Sequence, residues 1–413
     1  MEEFEIIVFF VERFSKDDIG GVKSYLRRII HNFTEKGIKT KIVTIKTKIH
    51  PLEEENINGI DVVRLDCGDF LDRVDEFSKI APEKREEVAK EYFKDNDIEN
   101  TSFKLAEKLL EFIKKERPMS IHYQNSFFLA PYAVYFLRQN FGVKESPAFY
   151  FWCHSPSSNL VLPDGQASSL YSSLSSFQNL FKKIFAVSKS VHNELLQAGI
   201  NSKVRYLGIN IETFSKKAYK REETRKKLGI SEGTFLILYT GRIIKEKGLN
   251  LLPDIYKDLV KRDDSFRTIQ FLLVGEGDYK EELIQQLQTE GIDNRFHFTS
   301  VTKDEELANI YSSADCFILP SQREALGLSL IEAMSCSLPC VVNDLPGIRE
   351  IVEHKRNGLF VPKNDISEFV RWIASLFKNK ILREELALAA RQTVEEKFNE
   401  KTHYKYFTLK YMD

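Results

Sequence analysis

Short apolar runs alternate with longer amphipathic stretches along this chain. The first half carries EIIVFF, TKIVTI, DVVRL, MSIHYQ, PAFYFWCH and KIFAVS; the second carries FLILYTGR, IQFLLVGEG, RFHFTSV, DCFILPS, PCVVND and GLFVP. Short apolar and β-branched runs without polar alternation read as strands buried on both faces. Between them, stretches such as GVKSYLRRIIHNFTEKG and KDEELANIYSSA have the spacing of amphipathic helices. Strand–helix alternation predicts parallel sheets covered by helices, an α/β class. Two such series predict two doubly wound, Rossmann-like domains, residues 1–206 and 207–395, with the joint near VRYLGINIETF at 204–214. Residues 396–413 have no strand after them and can pack on either half. Two insertions break the rhythm. One is the charged stretch 70–100. The other is the serine-rich stretch 155–177 with its PDG turn signal, read as a surface loop or as a segment that shapes an acceptor site.

Composition narrows the class. The 413 residues exceed one ordinary domain, and 42% hydrophobic with 29% charged residues is the balance of a soluble globular protein. A net charge of -1 gives no sign of a nucleic-acid partner. The one basic run, KKAYKREETRKK at 216–227, reads first as a solvated helix face, because Glu222 and Glu223 alternate with its lysines. Contact with phosphates or peripheral contact with a membrane is the other reading. Five scattered cysteines without a Cys-x-x-Cys suit a reducing setting and no structural zinc. The acidic N-terminus and the lack of a run of about 18 apolar residues predict a cytoplasmic protein.

In an open parallel sheet, ligands bind beyond the carboxyl ends of the strands. The residues that follow the second-half runs are Gly241-Arg242 and then Lys247-Gly248, Gly275-Glu276-Gly277, Ser321 with Glu324, and Asn343-Asp344. In the first half they are Gly20-Gly21, His122, His154 and Ser188. If the two rims face each other, a ligand sits in the cleft between them. Each residue alone has an ordinary explanation. A glutamate near a helix start complements the dipole, an arginine makes a surface ion pair, and a histidine fills a core. The lone Gly-x-Gly at 275 is a weak dinucleotide fingerprint. Shared placement after strands carries the reading.

Glu324 and Glu332 flank a featureless segment of Ala, Leu, Gly, Ser and Ile. Were both helical, they would stand about 12 Å apart and about 80° apart around the axis, too far for a paired acid and base. They are read as holding two parts of one extended ligand. Between them a helix N-terminus offers free amides, Gly327 admits close backbone approach, and Arg242 and Lys247 supply charge for a diphosphate. Hydroxyls at both ends with phosphates between describe a nucleotide sugar.

At these residues the chain resembles the family 4 glycosyltransferases of GT-B fold. PSQREALGLSLIEAM resembles their Glu-x7-Glu signature, and GRIIKEKGLNLL their Gly-Arg…Lys-Gly phosphate motif. VTKDEELANIYSSADCFILPS and NDLPGIREIVEHKRNGLFV fit the surrounding pattern, so the match is specific over about residues 204–398 and looser before it. The resemblance implies that Glu324 binds donor-sugar hydroxyls and Glu332 the ribose. It implies that Arg242 and Lys247 neutralise the diphosphate, and that the amides of Ala325, Leu326, Gly327 and Leu328 cradle sugar and phosphate, with Glu276 on the same rim. His154 would sit near an outer sugar hydroxyl and Gly20-Gly21 near the phosphates. The last helix would cross back onto the first domain. The chain departs from the pattern at Ala325, where the family has glycine, and at Leu207-Gly208-Ile209-Asn210, where it has Asn-Gly-Val-Asp.

The implied activity is transfer of a hexose or N-acetylhexosamine, with retention, from a UDP-sugar to a hydroxyl of a glycan, a lipid-linked or a small-molecule acceptor. No metal or other cofactor is expected, since fixed cationic groups take a metal's role. Asp17 and Asp18 read as solvated loop residues. A nucleotide-sugar epimerase of the same fold and a non-catalytic partner of a glycosyltransferase complex are the alternatives.

Overall fold

The computed structural model describes residues 6–15, 21–80, 84–94, 96–144, 146–154, 169–217 and 220–403. The chain forms two compact units, divided between Arg205 and Tyr206 except that Gly21 groups with the second. The first holds an eight-stranded sheet. Its strands are β1 (Ile6–Phe10), β2 (Lys39–Ile45), β3 (Glu54–Ile57), β4 (Ile60–Leu65), β5 (Ser120–Gln124), β6 (Ala148–Cys153), β7 (Lys183–Ala186) and β8 (Lys203–Val204). Their order is β3-β4-β2-β1-β5-β6-β7-β8. Every pairing is parallel except the β3–β4 hairpin, which closes through Asn58-Gly59. That Asn-Gly turn is the sequence signal for the hairpin, masked in the pattern by the glutamates of EEEN.

The second unit holds six strands: β9 (Phe235–Thr240), β10 (Ile269–Val274), β11 (Phe296–Thr299), β12 (Cys316–Leu319), β13 (Cys340–Asn343) and β14 (Leu359–Val361). They run in parallel in the order β11-β10-β9-β12-β13-β14. Every residue of β5, β9, β12 and β13 is buried, as a sheet covered on both faces requires. All five cysteines are free and buried among these apolar elements. Among the described residues no helix is long and apolar enough to cross a membrane.

The strand orders locate the ligand crevices. In the first sheet, β1 has β2 on one side and β5 on the other. In the second, β9 has β10 on one side and β12 on the other. The chain reverses its direction of travel across the sheet at these central strands. Loops leaving β1 and β5, or β9 and β12, therefore depart to opposite faces and open a crevice at the carboxyl ends.

Several expectations change. The charged insertion 70–100 is largely helical: helices Phe70–Ser78 and Arg85–Tyr92, and the start of Asp97–Glu116, occupy most of it. The rings of Phe77 and Phe93 meet edge to face at 5.2 Å, and Arg73 donates to Asp97 at 2.6 Å, so the charges serve a small aromatic cluster. In the serine-rich stretch, residues 155–168 lie outside the described residues, but Ser169–Phe177 is helix. Leu174 is fully buried and Ser173 Oγ donates to the Phe127 carbonyl at 3.2 Å. His122 does not follow a strand; it lies inside β5. Trp152 Nε1 donates to its Nδ1 at 3.1 Å, its Nε2 lies 3.0 Å from Ser120 Oγ, and burial lowers its pKa to about 3. It is a core histidine.

The crossing-back expectation for residues 396–413 is described only in part. Ile209 N donates to the Phe398 carbonyl and Glu400 N to the Ile209 carbonyl, so the chain to His403 is bonded to second-unit residues. Residues 404–413 lie outside the described residues.

The basic run 216–227 has an exposed face at Glu222, Glu223, Lys226 and Lys227, but Arg221 and Arg225 are a structural fastening. Arg225, with 2% of its side chain exposed, donates to the carbonyls of Ser313, Ser231, Glu232 and Thr234 and to Asp315 Oδ2 at 2.8 Å. Asp315 also accepts from Arg221 at 2.6 Å and from the Leu236 amide at the start of β9. Removing Asp315 leaves the Arg225 charge buried without its counter-ion, which costs about 3–5 kcal/mol, and removing Arg225 takes a donor from four backbone carbonyls. Arg225→Ala and Asp315→Ala are therefore expected to lower the calorimetric melting temperature of the second unit sharply. Lys227→Ala, on the exposed side of the same helix, leaves it unchanged. Equal melting of all three variants would remove the fastening role.

Candidate active site

The second-unit site forms where the loops after β9 and β12 meet. After β9 the chain passes Gly241 and Arg242 and makes a short 3-10 turn, Lys245–Lys247. After β12 it passes Pro320 and Ser321 before the helix Leu328–Ser335. Gln322 N donates to the Glu246 carbonyl at 2.9 Å and ties the two loops together. Gly248 makes this approach feasible. Its φ is +69°, and a Cβ there would lie 2.1 Å from the Pro320 carbonyl oxygen. Asn343, at the end of β13, secures the other side by donating to the carbonyls of Pro320 and Ser321 at 2.8 and 3.0 Å.

Loop contact brings Lys247 and Glu324 together. Lys247 Nζ donates to Glu324 Oε1 at 2.7 Å, and Ser321 Oγ donates to the same oxygen at 2.8 Å. Their side chains are 15% and 13% exposed, so the pair is well shielded yet reachable. Glu324 Oε2 has no hydrogen-bond partner among the described residues. Arg242 is exposed, and its guanidinium makes no hydrogen bond or ion pair among the described residues. Its carbonyl accepts from Tyr239 at 2.7 Å, which fixes the backbone turn after β9.

Gly327 caps the helix Leu328–Ser335 at φ +80°, with no side-chain cap, so its first amides are open to an anion. Ala325 and Leu328 are half-buried and Leu326 is buried. Glu332 lies one turn further along, 5% exposed, and accepts from the Tyr311 hydroxyl at 2.8 Å. That hydroxyl also contacts Thr240 Oγ1 at the end of β9. Glu324 and Glu332 thus occupy a loop and a helix and have separate partners. Glu276 is on the rim, after β10, but its carboxylate is held by Lys280 at 3.0 Å. The glycines beside it permit backbone packing: a Cβ on Gly275 would lie 1.9 Å from the Gly241 carbonyl oxygen.

In the first unit, His154 directly follows β6 and is 7% exposed. Its Nε2 pairs with Gln124 Oε1 at 2.7 Å, and burial lowers its pKa to about 3, so it is neutral. Gly21 opens the helix Gly21–Glu35 after β1; Gly20, Asp17 and Asp18 lie outside the described residues. The sequence assigns no role to Tyr311 or Gly347, although both lie in stretches that fit the family pattern. A Cβ on Gly347 would lie 2.5 Å from the Glu324 carbonyl oxygen, so this glycine supports the peptide behind Glu324. Only tertiary packing reveals either role. Glu12 was legible, since it stands two residues after β1 in the very position the rim rule selects. Among the described residues no group of three His, Cys, Asp or Glu side chains could hold a metal.

Gly248→Ala tests the loop junction. Strain at positive φ together with the clash on Pro320 is expected to cost about 2 kcal/mol or more. Chemical denaturation should show the loss. Unaltered stability would mean that the loops part without cost.

Comparison with known proteins agrees with this geometry. Residues 220–393 match the model for glycosyl transferases group 1, and residues 19–213 that for glycosyltransferase family 4. An uncharacterised glycosyltransferase of Methanocaldococcus jannaschii is 29% identical over 229 residues, covering 52% of this chain and 56% of that protein. The sulfoquinovosyl transferase of Arabidopsis thaliana is 31% identical over 218 residues, covering 51% and 40%. N-acetyl-alpha-D-glucosaminyl L-malate synthase of Bacillus anthracis is 28% identical over 196 residues, covering 47% and 50%. The matches thus span about half the length of these relatives. Among solved structures, sucrose-phosphate synthase from Thermosynechococcus elongatus superposes with a TM-score of 0.78 at 19% identity, over 99% of this chain and 98% of that one. HepE of Anabaena in complex with UDP-glucose superposes with a TM-score of 0.73 at 19% identity, over 97% and 98%. This chain belongs to the family 4 glycosyltransferases and has their GT-B fold.

Proposed function

We propose that the protein transfers a hexose or N-acetylhexosamine from a UDP-sugar to an acceptor hydroxyl, with retention and without a metal. The observation that carries this reading is the Lys247–Glu324 hydrogen bond at the second switch point, beside an uncapped helix N-terminus. It joins a cation for phosphate to a carboxylate for sugar hydroxyls in one small volume. The UDP-glucose complex of the structural neighbour HepE supports a UDP-sugar as donor.

Charge develops on the leaving diphosphate as the glycosidic bond breaks. The Lys247 ammonium keeps two N–H donors beyond the one given to Glu324. With Arg242 and the amides at Gly327 and Leu328, it stabilises that charge where it forms. Glu324 Oε2 accepts from a hydroxyl of the donor sugar, and Glu332 holds the ribose hydroxyls at the other end of the donor. Tyr311 fixes the Glu332 carboxylate through its 2.8 Å bond. The acceptor hydroxyl enters on the face the diphosphate leaves, and a phosphate oxygen takes its proton. No nucleophilic carboxylate is needed in such a route.

Incubation with a panel of UDP-sugars and hydroxyl acceptors tests the proposal. Free UDP with an α-glycoside supports it. An epimerised donor would replace it with the epimerase reading, and no turnover with any donor would favour a non-catalytic role. Arg242→Ala and Lys247→Ala are each expected to reduce turnover about a hundredfold, equivalent to about 3 kcal/mol of lost transition-state stabilisation. Unchanged turnover in both would sink the diphosphate assignment. Transfer should also survive a chelator; complete loss, restored by magnesium or manganese, would contradict metal independence.

A further inference from the structure

The first sheet has a switch point of its own, between β1 and β5, where Glu12 and Ser126, which have no part in the nucleotide-sugar assignments, meet. Glu12 stands just beyond β1, and Ser126 just beyond β5. Ser126 Oγ, fully buried, donates to Glu12 Oε1 at 2.7 Å. Asn125, at φ +56°, turns the chain between β5 and Ser126, and its Oδ1 accepts from the His154 amide at 3.1 Å. His154 Nε2 in turn meets Gln124 Oε1. Glu12, Gln124, Asn125, Ser126 and His154 therefore form one connected rim across β1, β5 and β6.

Two acceptor atoms of this rim lack a hydrogen-bond partner among the described residues. Glu12 Oε2 has no hydrogen-bond partner among the described residues. His154 Nδ1 is buried and also without one. Gln124 Nε2 donates to the His122 carbonyl at 3.3 Å, which sets the amide so that its oxygen faces His154. The His154 proton therefore sits on Nε2, and Nδ1 presents a lone pair. Arg13, next to Glu12, is directed elsewhere: its guanidinium donates to the Leu71 carbonyl at 2.9 Å and pairs with Asp75 at 2.8 Å. Burial raises the Glu12 pKa, against smaller lowering effects from Ser126 and Arg13. A part-buried carboxylate lacking a full set of donors is costly, and a ligand hydroxyl completes its shell.

We propose that Glu12 binds the acceptor through Oε2, and that the acceptor is an uncharged polyol or sugar. The assignment rests on the glycosyltransferase reading and deepens it. An acceptor-only oxygen on a rim that also carries a neutral histidine suits hydroxyl donors. It repels phosphate and carboxylate. Ser126 is the positioning residue: its hydroxyl occupies Oε1 and leaves Oε2 facing the ligand.

The test uses the full chain, calorimetry with UDP, and the rate of UDP release from UDP-sugars. Glycerol, methyl α-glucoside, methyl α-mannoside, glycerol 3-phosphate and L-malate serve as added acceptors. A neutral polyol is expected to stimulate UDP release. In Glu12→Gln and Glu12→Ala that stimulation should fall about tenfold or more, through a raised KM for the polyol, with UDP affinity unchanged. Glu12→Gln keeps an oxygen for Ser126 and so guards against misfolding. Equal stimulation in wild type and variants overturns the assignment, as does stimulation by the anionic acceptors alone or by none of the panel. Loss of UDP affinity in both variants overturns it too, since Glu12 would then serve the donor or the fold. Wild-type protein that neither binds UDP nor releases it from any UDP-sugar fails the glycosyltransferase reading itself, a separate result.

Discussion

Each unit is organised by a parallel sheet whose central strand has neighbours reached in opposite directions. β9 lies between β10 and β12, and β1 lies between β2 and β5. The loops leaving such neighbours cannot cover one another, so a crevice opens at their carboxyl ends. Both hydrogen bonds central to the functional reading bridge such a crevice: Lys247 to Glu324 in the second unit, and Ser126 to Glu12 in the first. The sheets themselves are apolar and buried, so polar chemistry gathers at these ends, where the backbone leaves the ladder.

The two rims differ in charge. The second-unit rim carries Lys247, Arg242 and an uncapped helix N-terminus, all suited to phosphate. The described first-unit rim offers a carboxylate, a neutral histidine and side-chain amides, all suited to hydroxyls. Burial keeps His154 neutral, so lower pH near its pKa of about 3, and not physiological change, is needed to charge it. A nucleotide sugar and a polyol differ in the same way, which is why the electrostatics distinguish the two ends of the proposed reaction.

Rigidity beneath the second rim comes from buried polar groups that are well supplied with partners. Arg225 and Asp315 fasten the segment before β9 to the segment before β12 at the amino ends of the strands. Asn343 fastens the loop after β12 at their carboxyl ends. A small displacement of Glu324 relative to Lys247 would break a 2.7 Å bond, so this bracing is what holds the pair in register.

Much of this was legible in the chain itself. Unalternated apolar runs gave twelve of the strands, because a strand buried on both faces must be apolar throughout. Placement after those runs selected Arg242, Lys247, Glu324 and His154, since the loop that follows a strand lies next to it in sequence. The hairpin strand β3 and the two-residue β8 have no such run and escaped notice. His122 was misplaced because β5 continues two residues beyond it, and a histidine satisfied by Trp152 and Ser120 belongs to a core. Basic residues 221 and 225 read as solvated, yet they meet Asp315, about ninety positions later. The Ser126–Glu12 bond, the Tyr311 support of Glu332 and the Gly347 packing behind Glu324 join residues remote in sequence. Local pattern records what one residue needs from its immediate neighbours; only the folded sheet decides which distant partner satisfies it.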